Sequence, residues 1–595
     1  MGKDIIAKNA PELADFDRYA EKVLKDHKFP GMAVAIIRGD QVIHSKGYGF
    51  SDLEKKLPVD SETVFAIGSA SKAFTAMAVG LLVEQGKLDW DQPLRTYLPT
   101  FKLYDPFASE RMTPRDLLCH RSGLPRHDLM WYSSPHNRKE IFEHLSHLEP
   151  NRDFRTYFQY QNLMFMVAGY LVEVVSGLTW EDFVRREILK RLGMTRSNLS
   201  VEDSKQMDNV ALPYREEKHK LIEIPFRNID AVAPAGSINS CVADMARWVT
   251  LQMNGGQYRG KQIIGKANLE QMHTPTMPYP ASFFQGFDQF EELGEGTYGL
   301  GWFMQTYRGH KLIHHGGHID GFSAMVSFMP REKLGVIVLT NLNNINSHFA
   351  PLLHAYDCLL GLEPLLWNER FIELEKKTKQ AAKAGEKKSA AQKVRGTRPS
   401  HPLDAYVGDY SHPGYGVIRV KLNQPPEKKL KAMYSGLKFS LAHYHYDIFE
   451  GTDEEESENK MKLSFFTDVQ GNIASLSAPF EPMVKDIVFT RIASEEMRSK
   501  TFLQQFVGRY QLDKQVVEVR LIGTPRMYLS GEGEGTLAAA MPGMPEMELE
   551  PYQGTQFKVK GLPASLEFHL EGGKVTAVDI SQMGAVFTAL KIAEG

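Results

Sequence analysis

The spacing of apolar residues changes along the chain, and each change predicts a different element. Residues 16–24 read as an amphipathic helix, and residues 32–37 and 41–48 as strands joined by the tight turn Arg38-Gly39-Asp40. Helical patterns dominate the middle, at 71–85, 114–118, 163–176 and 243–253. Strand patterns return at 311–315, 323–329 and 335–341, the last containing Val336-Ile337-Val338-Leu339-Thr340, before a closing helix at 351–360. A late antiparallel meander beside two N-terminal strands, with helices between, predicts an α+β domain with one antiparallel sheet flanked by helices.

Beyond that domain the pattern breaks. Residues 372–400 are rich in Lys and Ala and poor in large apolar side chains, so they cannot bury a core and read as a linker or an exposed helix. An internal repeat follows. Tyr406-Val407-Gly408-Asp409-Tyr410 returns as Phe506-Val507-Gly508-Arg509-Tyr510, and Phe466 with Gly471 returns as Phe568 with Gly573. Each unit alternates like short strands separated by glycine turns, which predicts two small antiparallel β-barrels that close their own edges. The expected division is 1–371 for the first domain, 372–400 for the linker, and 401–495 and 496–595 for the barrels.

Composition narrows the chemistry. In 595 residues, Lys plus Arg total 70 against 73 for Asp plus Glu, and a net charge of −3 gives no sign of a nucleic-acid or anionic-membrane partner. Three cysteines, Cys119, Cys241 and Cys358, are too few for a disulfide framework and read as reduced. The first nine residues lack the apolar core of a signal peptide, Gly2 is not followed by Ser or Thr at position 6, and no apolar run is long enough to span a bilayer. The expectation is a soluble, cytoplasmic protein.

Candidate chemistry starts at Ser69-Ala70-Ser71-Lys72, where a serine and a lysine three residues apart share a helix face. The apolar run after Lys72 predicts a buried helix, and burial lowers a lysine pKa from its ordinary value of about 10.4. A lysine so perturbed can help to take the proton from a serine, a weak nucleophile unaided. By itself the pair also fits an N-cap serine with a solvated lysine. Downstream, Tyr160-Gln161-Asn162 precedes a strongly apolar helix and can aim a phenol and an amide into one cleft. Then comes His314-His315-Gly316-Gly317-His318-Ile319-Asp320, where the glycines let a substrate lie close to a strand backbone. His314 and His315 point to opposite faces of a strand, and no metal-ligand spacing accompanies them, so no metal site is expected.

Taken together, these motifs resemble the serine β-lactamase and penicillin-binding-protein superfamily, in the branch of class C β-lactamases, D-alanyl-D-alanine carboxypeptidases, D-aminopeptidases and related esterases. Supporting stretches are Pro30-Gly31-Met32-Ala33-Val34-Ala35, Thr113-Pro114-Arg115-Asp116-Leu117-Leu118-Cys119-His120-Arg121-Ser122-Gly123-Leu124-Pro125, Pro234-Ala235-Gly236-Ser237 and Tyr298-Gly299-Leu300-Gly301-Trp302. The likeness spans about residues 12–365, and the repeats resemble the lipocalin-like appendages of D-aminopeptidases.

The resemblance implies that Ser69 is a nucleophile forming an acyl-enzyme, with Lys72 and Tyr160 as a coupled base in which the Lys72 charge holds the Tyr160 pKa down. It implies an oxyanion hole from the backbone N–H groups of Ser69 and His318, and substrate binding by Asn162, His315, Gly316 and Gly317. His315 stands where class A relatives carry lysine and would sit near the leaving group or a substrate carboxylate, which weakens any inference of strong β-lactamase activity. No cofactor is implied. Substrates would be small amides, peptides with D-residues, or esters; acyl transfer in secondary metabolism and a non-catalytic scaffold stay open, as does homo-oligomerisation. Trp131-Tyr132 and residues 283–287 are expected to line the pocket. The acidic turn 453–458 and the loop 542–545 are candidate barrel loops for reaching a site, although solvated turns fit them as well.

Overall fold

A computed structural model describes residues 10–343, 346–423, 428–456, 458–523 and 535–592. Residues 1–9, read above for a leader, and Ser457 of the acidic turn lie outside the described residues. The chain divides into two compact units, 1–392 and 393–595.

In the first unit the elements that position the site are α1 (Phe16–Asp26), β1 (Gly31–Arg38), β2 (Gln41–Asp52), β3 (Leu57–Pro58), α2 (Ser71–Glu84), α3 (Leu163–Ser176) and α4 (Val242–Met253). They continue with β4 (Met277–Pro278), β5 (Leu293–Tyr298), β6 (Phe303–Tyr307), β7 (His310–Ile319), β8 (Phe322–Met329), β9 (Leu334–Thr340), α5 (Phe349–Leu359) and α6 (Trp367–Ala391). Among the described residues the sheet has nine strands in the order β4-β5-β6-β7-β8-β9-β1-β2-β3, so the N-terminal hairpin completes the late meander as predicted.

The continuous apolar run of β9 has a direct cause. Its even-numbered residues Val336 and Val338 pack in a core with Phe16 of α1 and Phe349 and Leu353 of α5. The opposite face meets α4, where a Cβ on Gly335 would lie 2.5 Å from Val249. With helices on both faces, every β9 position is buried and the usual polar alternation disappears. Helix α2 is apolar all round for the same reason: Ser71 to Leu82 are buried, and Phe74 stacks on Trp248 of α4 with ring centroids 3.8 Å apart.

The Lys/Ala-rich segment is the distal part of α6. Its first turns bury Trp367, Phe371 and Leu374, and the later turns stand in solvent, which is why they need no apolar face.

The second unit contains two closed eight-stranded antiparallel barrels. In the first, Asp409 on the opening strand pairs with Ile492 on the last; in the second, Arg509 pairs with Ile592. Closure removes the edges along which other strands could add. The repeat survives in bonding: Tyr410 Oη donates to the Tyr406 carbonyl at 2.9 Å, and Tyr510 Oη to the Phe506 carbonyl at 2.7 Å. One detail of the expected repeat is corrected. Phe568 is buried against Phe506 and Tyr510, whereas Phe466 is exposed; it is Phe465 that packs on Tyr406 and Tyr410. Side chains alternate across a strand, so a slip of one residue moves a side chain to the other face.

A buried carboxylate ties α5 to β6 and to the start of α6. Asp357 accepts from Tyr307 Oη (2.5 Å), Arg308 Nη1 (2.8 Å), Trp367 Nε1 (3.0 Å) and Leu365 N (3.1 Å). Asp357→Ala strands these donors and is expected to destabilise the first unit by about 3–5 kcal/mol, read as a lower urea midpoint.

Candidate active site

The short pairing of Phe65–Ala66 with Asn239–Ser240 delivers the chain to a single 3₁₀ turn, Gly68–Ala70, which runs directly into α2. Ser69 therefore stands on the turn, partly exposed, and Lys72 lies in the first turn of a helix with no polar face. The lysine is fully buried, yet its ammonium nitrogen is surrounded: Ser69 Oγ lies at 2.9 Å, Asn162 Oδ1 at 2.7 Å and the Ala235 carbonyl at 2.8 Å. Burial pulls its pKa well below the ordinary lysine value, and the Arg126 guanidinium pushes the same way against the opposing pull of Asp128.

Asn162 occupies the N-cap position of α3, and Tyr160 precedes it in the turn. The Lys72 nitrogen lies 4.9 Å from the Tyr160 ring centroid. Burial raises the phenol pKa, opposed by the neighbouring Ser69 hydroxyl and by Arg126. The expected depression of the Tyr160 pKa by a Lys72 charge does not hold here, because burial acts against the charged form of both groups.

The third wall is β7. A Cβ on Gly317 would lie 1.8 Å from the Ile67 carbonyl oxygen and 2.9 Å from Ser69 N. Across the same contact Gly68, at φ +50°, would bring a Cβ to 2.7 Å from His318 N. Only glycines let these backbones touch, and the contact sets the amides of Ser69 and His318 beside each other. His315 shares the Gly317 face of β7. Its Nδ1 donates to the Gly316 carbonyl at 2.6 Å, and its Nε2 accepts from Tyr298 Oη at 2.9 Å. Burial lowers its pKa well below the ordinary histidine value, so it stands as a neutral imidazole, its ring 6.3 Å from that of Tyr160. His314 faces the other way, among Phe284, Phe303 and Phe349.

Residues 16–358 match the Beta-lactamase family, more than half of the chain. This chain belongs to the Beta-lactamase family. A hydrolase-like function follows from that membership. Residues 392–491 match a domain of unknown function, DUF3471, which covers the first barrel. Similar proteins include "Unguisins hydrolase ungD'" of Aspergillus campestris, 30% identical over 68% of this chain and 77% of its own length. "Unguisins hydrolase ungD" of Aspergillus violaceofuscus is 28% identical over 75% of this chain and 83% of its own. Among solved structures, the octameric penicillin-binding protein homologue from Pyrococcus abyssi has a TM-score of 0.52 at 23% identity, over 80% of this chain and all of that one, a likeness of fold.

Within this Beta-lactamase-family cleft stand residues that spacing alone did not single out. His120, with φ +59°, accepts Gln159 N on its carbonyl (2.8 Å) and Gln161 N on Nδ1 (3.3 Å), and its ring lies 4.2 Å from that of Tyr160. It lies in a stretch quoted above for resemblance, but only the fold folds it back against the tyrosine. Asp128 carried no signal at all, and it bonds Asn162. Of the expected lining residues, Trp131 donates to Asp128, Tyr132 donates to Asp320, and Phe283 lies 5.8 Å from Tyr160, whereas Phe287 joins the core beside Phe349. The acidic turn of the first barrel is held within that barrel, Glu454 pairing with Lys431 and Asp453 accepting from the Glu455 amide. Among the described residues no group of three His, Cys, Asp or Glu is placed to hold a metal.

Gly317→Ala is expected to push β7 away from the Ser69 turn while leaving the sheet folded. Loss of one backbone donor at a developing oxyanion typically costs about 10²–10³ in rate, and acylation by an activated ester should fall by that order, with a thermal transition that stays cooperative but moves down under the strain.

Proposed function

We propose that the chain is a serine hydrolase that works through an acyl-enzyme on small amides, peptides (including those with D-residues) or esters. The observation that carries this reading is the set of three partners around the Lys72 nitrogen. Asn162 Oδ1 and the Ala235 carbonyl can only accept hydrogen bonds. A neutral lysine has two N–H groups, which these two acceptors take, and its lone pair is left facing the Ser69 hydroxyl. That is the geometry of a general base ready to receive a proton.

The chemistry then balances. Ser69 Oγ attacks the carbonyl carbon and its proton passes to Lys72; the amides of Ser69 and His318 hold the oxyanion. The tetrahedral intermediate breaks its C–N or C–O bond, and the proton leaves on the amine or alcohol, relayed by Lys72 or by Tyr160. Water adds to the acyl-enzyme by the reverse proton path, freeing the acid and restoring Ser69. Asn162 and the backbone of Gly316 and Gly317 meet the substrate, with His315 standing behind them. His315, as a neutral imidazole bonded to Tyr298, supports the wall behind Tyr160 and suits substrates that do not depend on a cation there.

The names of the fungal relatives, both hydrolases, favour water as acceptor over acyl transfer. A cytoplasmic setting belongs to this reading and agrees with three unpaired cysteines; among the described residues no single helix is long and apolar enough to cross a membrane. Self-association is proposed by analogy with the octameric archaeal homologue, and light scattering tests it.

Intact-mass analysis after exposure to an activated ester should find one acyl adduct on the wild type and none on Ser69→Ala; an adduct that persists in the variant would overturn the assignment. Added amines should leave its lifetime unchanged if water is the natural acceptor.

The working form of Lys72 is unprotonated. Because burial lowers its pKa, kcat/KM should rise with pH along a limb that ends below the ordinary lysine range. Lys72→Arg, which keeps its charge, should lose at least about 10² in rate at every pH, the scale of general-base catalysis.

A further inference from the structure

The base described above works only if the Asn162 side chain has one of its two orientations. Its amide oxygen and nitrogen are nearly the same size, and turning the amide over would present N–H to Lys72 instead of an acceptor. In that state the lysine lone pair would accept from Asn162, and an amine N–H would face Ser69 Oγ. The base would be occupied, with every atom of the cleft otherwise in place.

Asp128 decides between the two orientations. Its Oδ1 lies 3.0 Å from Asn162 Nδ2. A carboxylate can only accept, so the amide nitrogen must face it and the amide oxygen must face Lys72. The carboxylate is itself held from two further directions: Trp131 Nε1 donates to Oδ1 at 2.9 Å and Arg126 Nε to Oδ2 at 2.6 Å. Its backbone is fixed as well, since the Asp128 carbonyl accepts from Trp131 N at 3.1 Å and Tyr132 N at 2.9 Å.

We propose that Asp128 is a positioning residue for the Lys72 base, acting through Asn162 in a chain of polarised bonds that runs Asp128, Asn162, Lys72, Ser69. This rests on the reading of Ser69 and Lys72 as nucleophile and base. Asp128 does not touch the reacting atoms. It aligns hydrogen bonds so that the lysine lone pair has only the serine proton to take.

A second effect of the same carboxylate separates positioning from plain electrostatics. The negative charge of Asp128 favours the protonated form of Lys72. Removing it lowers the lysine pKa further and moves the acid limb of the rate profile to lower pH, which alone would leave the high-pH plateau intact. Loss of orientation lowers the plateau instead.

The test uses 4-nitrophenyl acetate hydrolysis by the full-length protein over a pH series. For Asp128→Asn, whose side chain can donate or accept, the plateau of kcat is expected to fall about ten- to a hundredfold, as for outer partners of metal-bound ligands, with KM within about threefold. The acid limb should move to lower pH. In an Asn162→Ala background the same substitution should cost nothing more, because the path through Asn162 is already cut. The exchange D128N/N162D restores an acceptor facing Lys72 and should regain the plateau, reached only at higher pH because a carboxylate then adjoins the lysine. A shifted limb with an unchanged plateau overturns the proposal, as does an equal loss in the Asn162→Ala background. So does an exchange variant that folds without regaining the plateau, and this arm decides the matter if Asp128→Asn alone fails to fold. If the wild type forms no Ser69 adduct, the reading of the site falls and this inference with it. If it forms one and the Asp128 results fail, only this inference falls.

Discussion

The structure of the site depends on one unfavourable placement, a lysine amine in an apolar interior. Helix α2 is buried from Ser71 to Leu82, so Lys72 has no route to solvent. Water would have solvated its ammonium; here only three oxygens replace that water. Three oxygens satisfy the N–H groups, but they do not replace bulk water around a charge, and burial accordingly lowers the lysine pKa well below its ordinary value. Each oxygen is brought by a different element: the turn before α2, the start of α3, and the carbonyl of Ala235. Thr75 Oγ1 fixes that last segment by donating to the Pro234 carbonyl at 2.6 Å. The catalytic proposal is thus a consequence of packing, and the folding of three segments is the condition for it.

The sheet supplies the complementary constraint. Helices cover β9 on both faces, while β7 must approach the Ser69 turn until backbone meets backbone. Preorganised amides stabilise developing charge only when they need not move to do so. His120 and Phe303 pack against the Tyr160 ring, and Tyr298 and Phe158 back them in turn. The polar atoms of this aromatic layer are few: His315 joins the layer through Tyr298 and stays neutral.

The barrels follow a separate logic. Each is a closed eight-stranded antiparallel ring, with aromatic side chains packed together, Tyr406, Phe449 and Phe465 in the first and Phe506, Phe557 and Phe568 in the second. The tyrosine bond repeated at Tyr410 and Tyr510 marks the two as copies of one design.

Much of this was legible in the chain itself. Apolar period located α2, α3, β8 and β9, because a helix or strand whose faces are covered must be apolar where it is covered. Glycine spacing marked β7, because a backbone that must touch another cannot carry a side chain. Ser69, Lys72, Tyr160 and Asn162 were recognisable because the chemistry they suit restricts both residue type and order. What the sequence could not contain is direction. The orientation of the Asn162 amide, the turn of His315 toward Tyr298, and the bond from Asp128 each join residues distant along the chain. The choice of Phe465 over Phe466 likewise depends on strand register, which pairing partners set. Local patterns fix which residues form an element and which face is apolar; only the assembled tertiary structure fixes which polar atoms meet, since that depends on contacts between segments that no local pattern encodes.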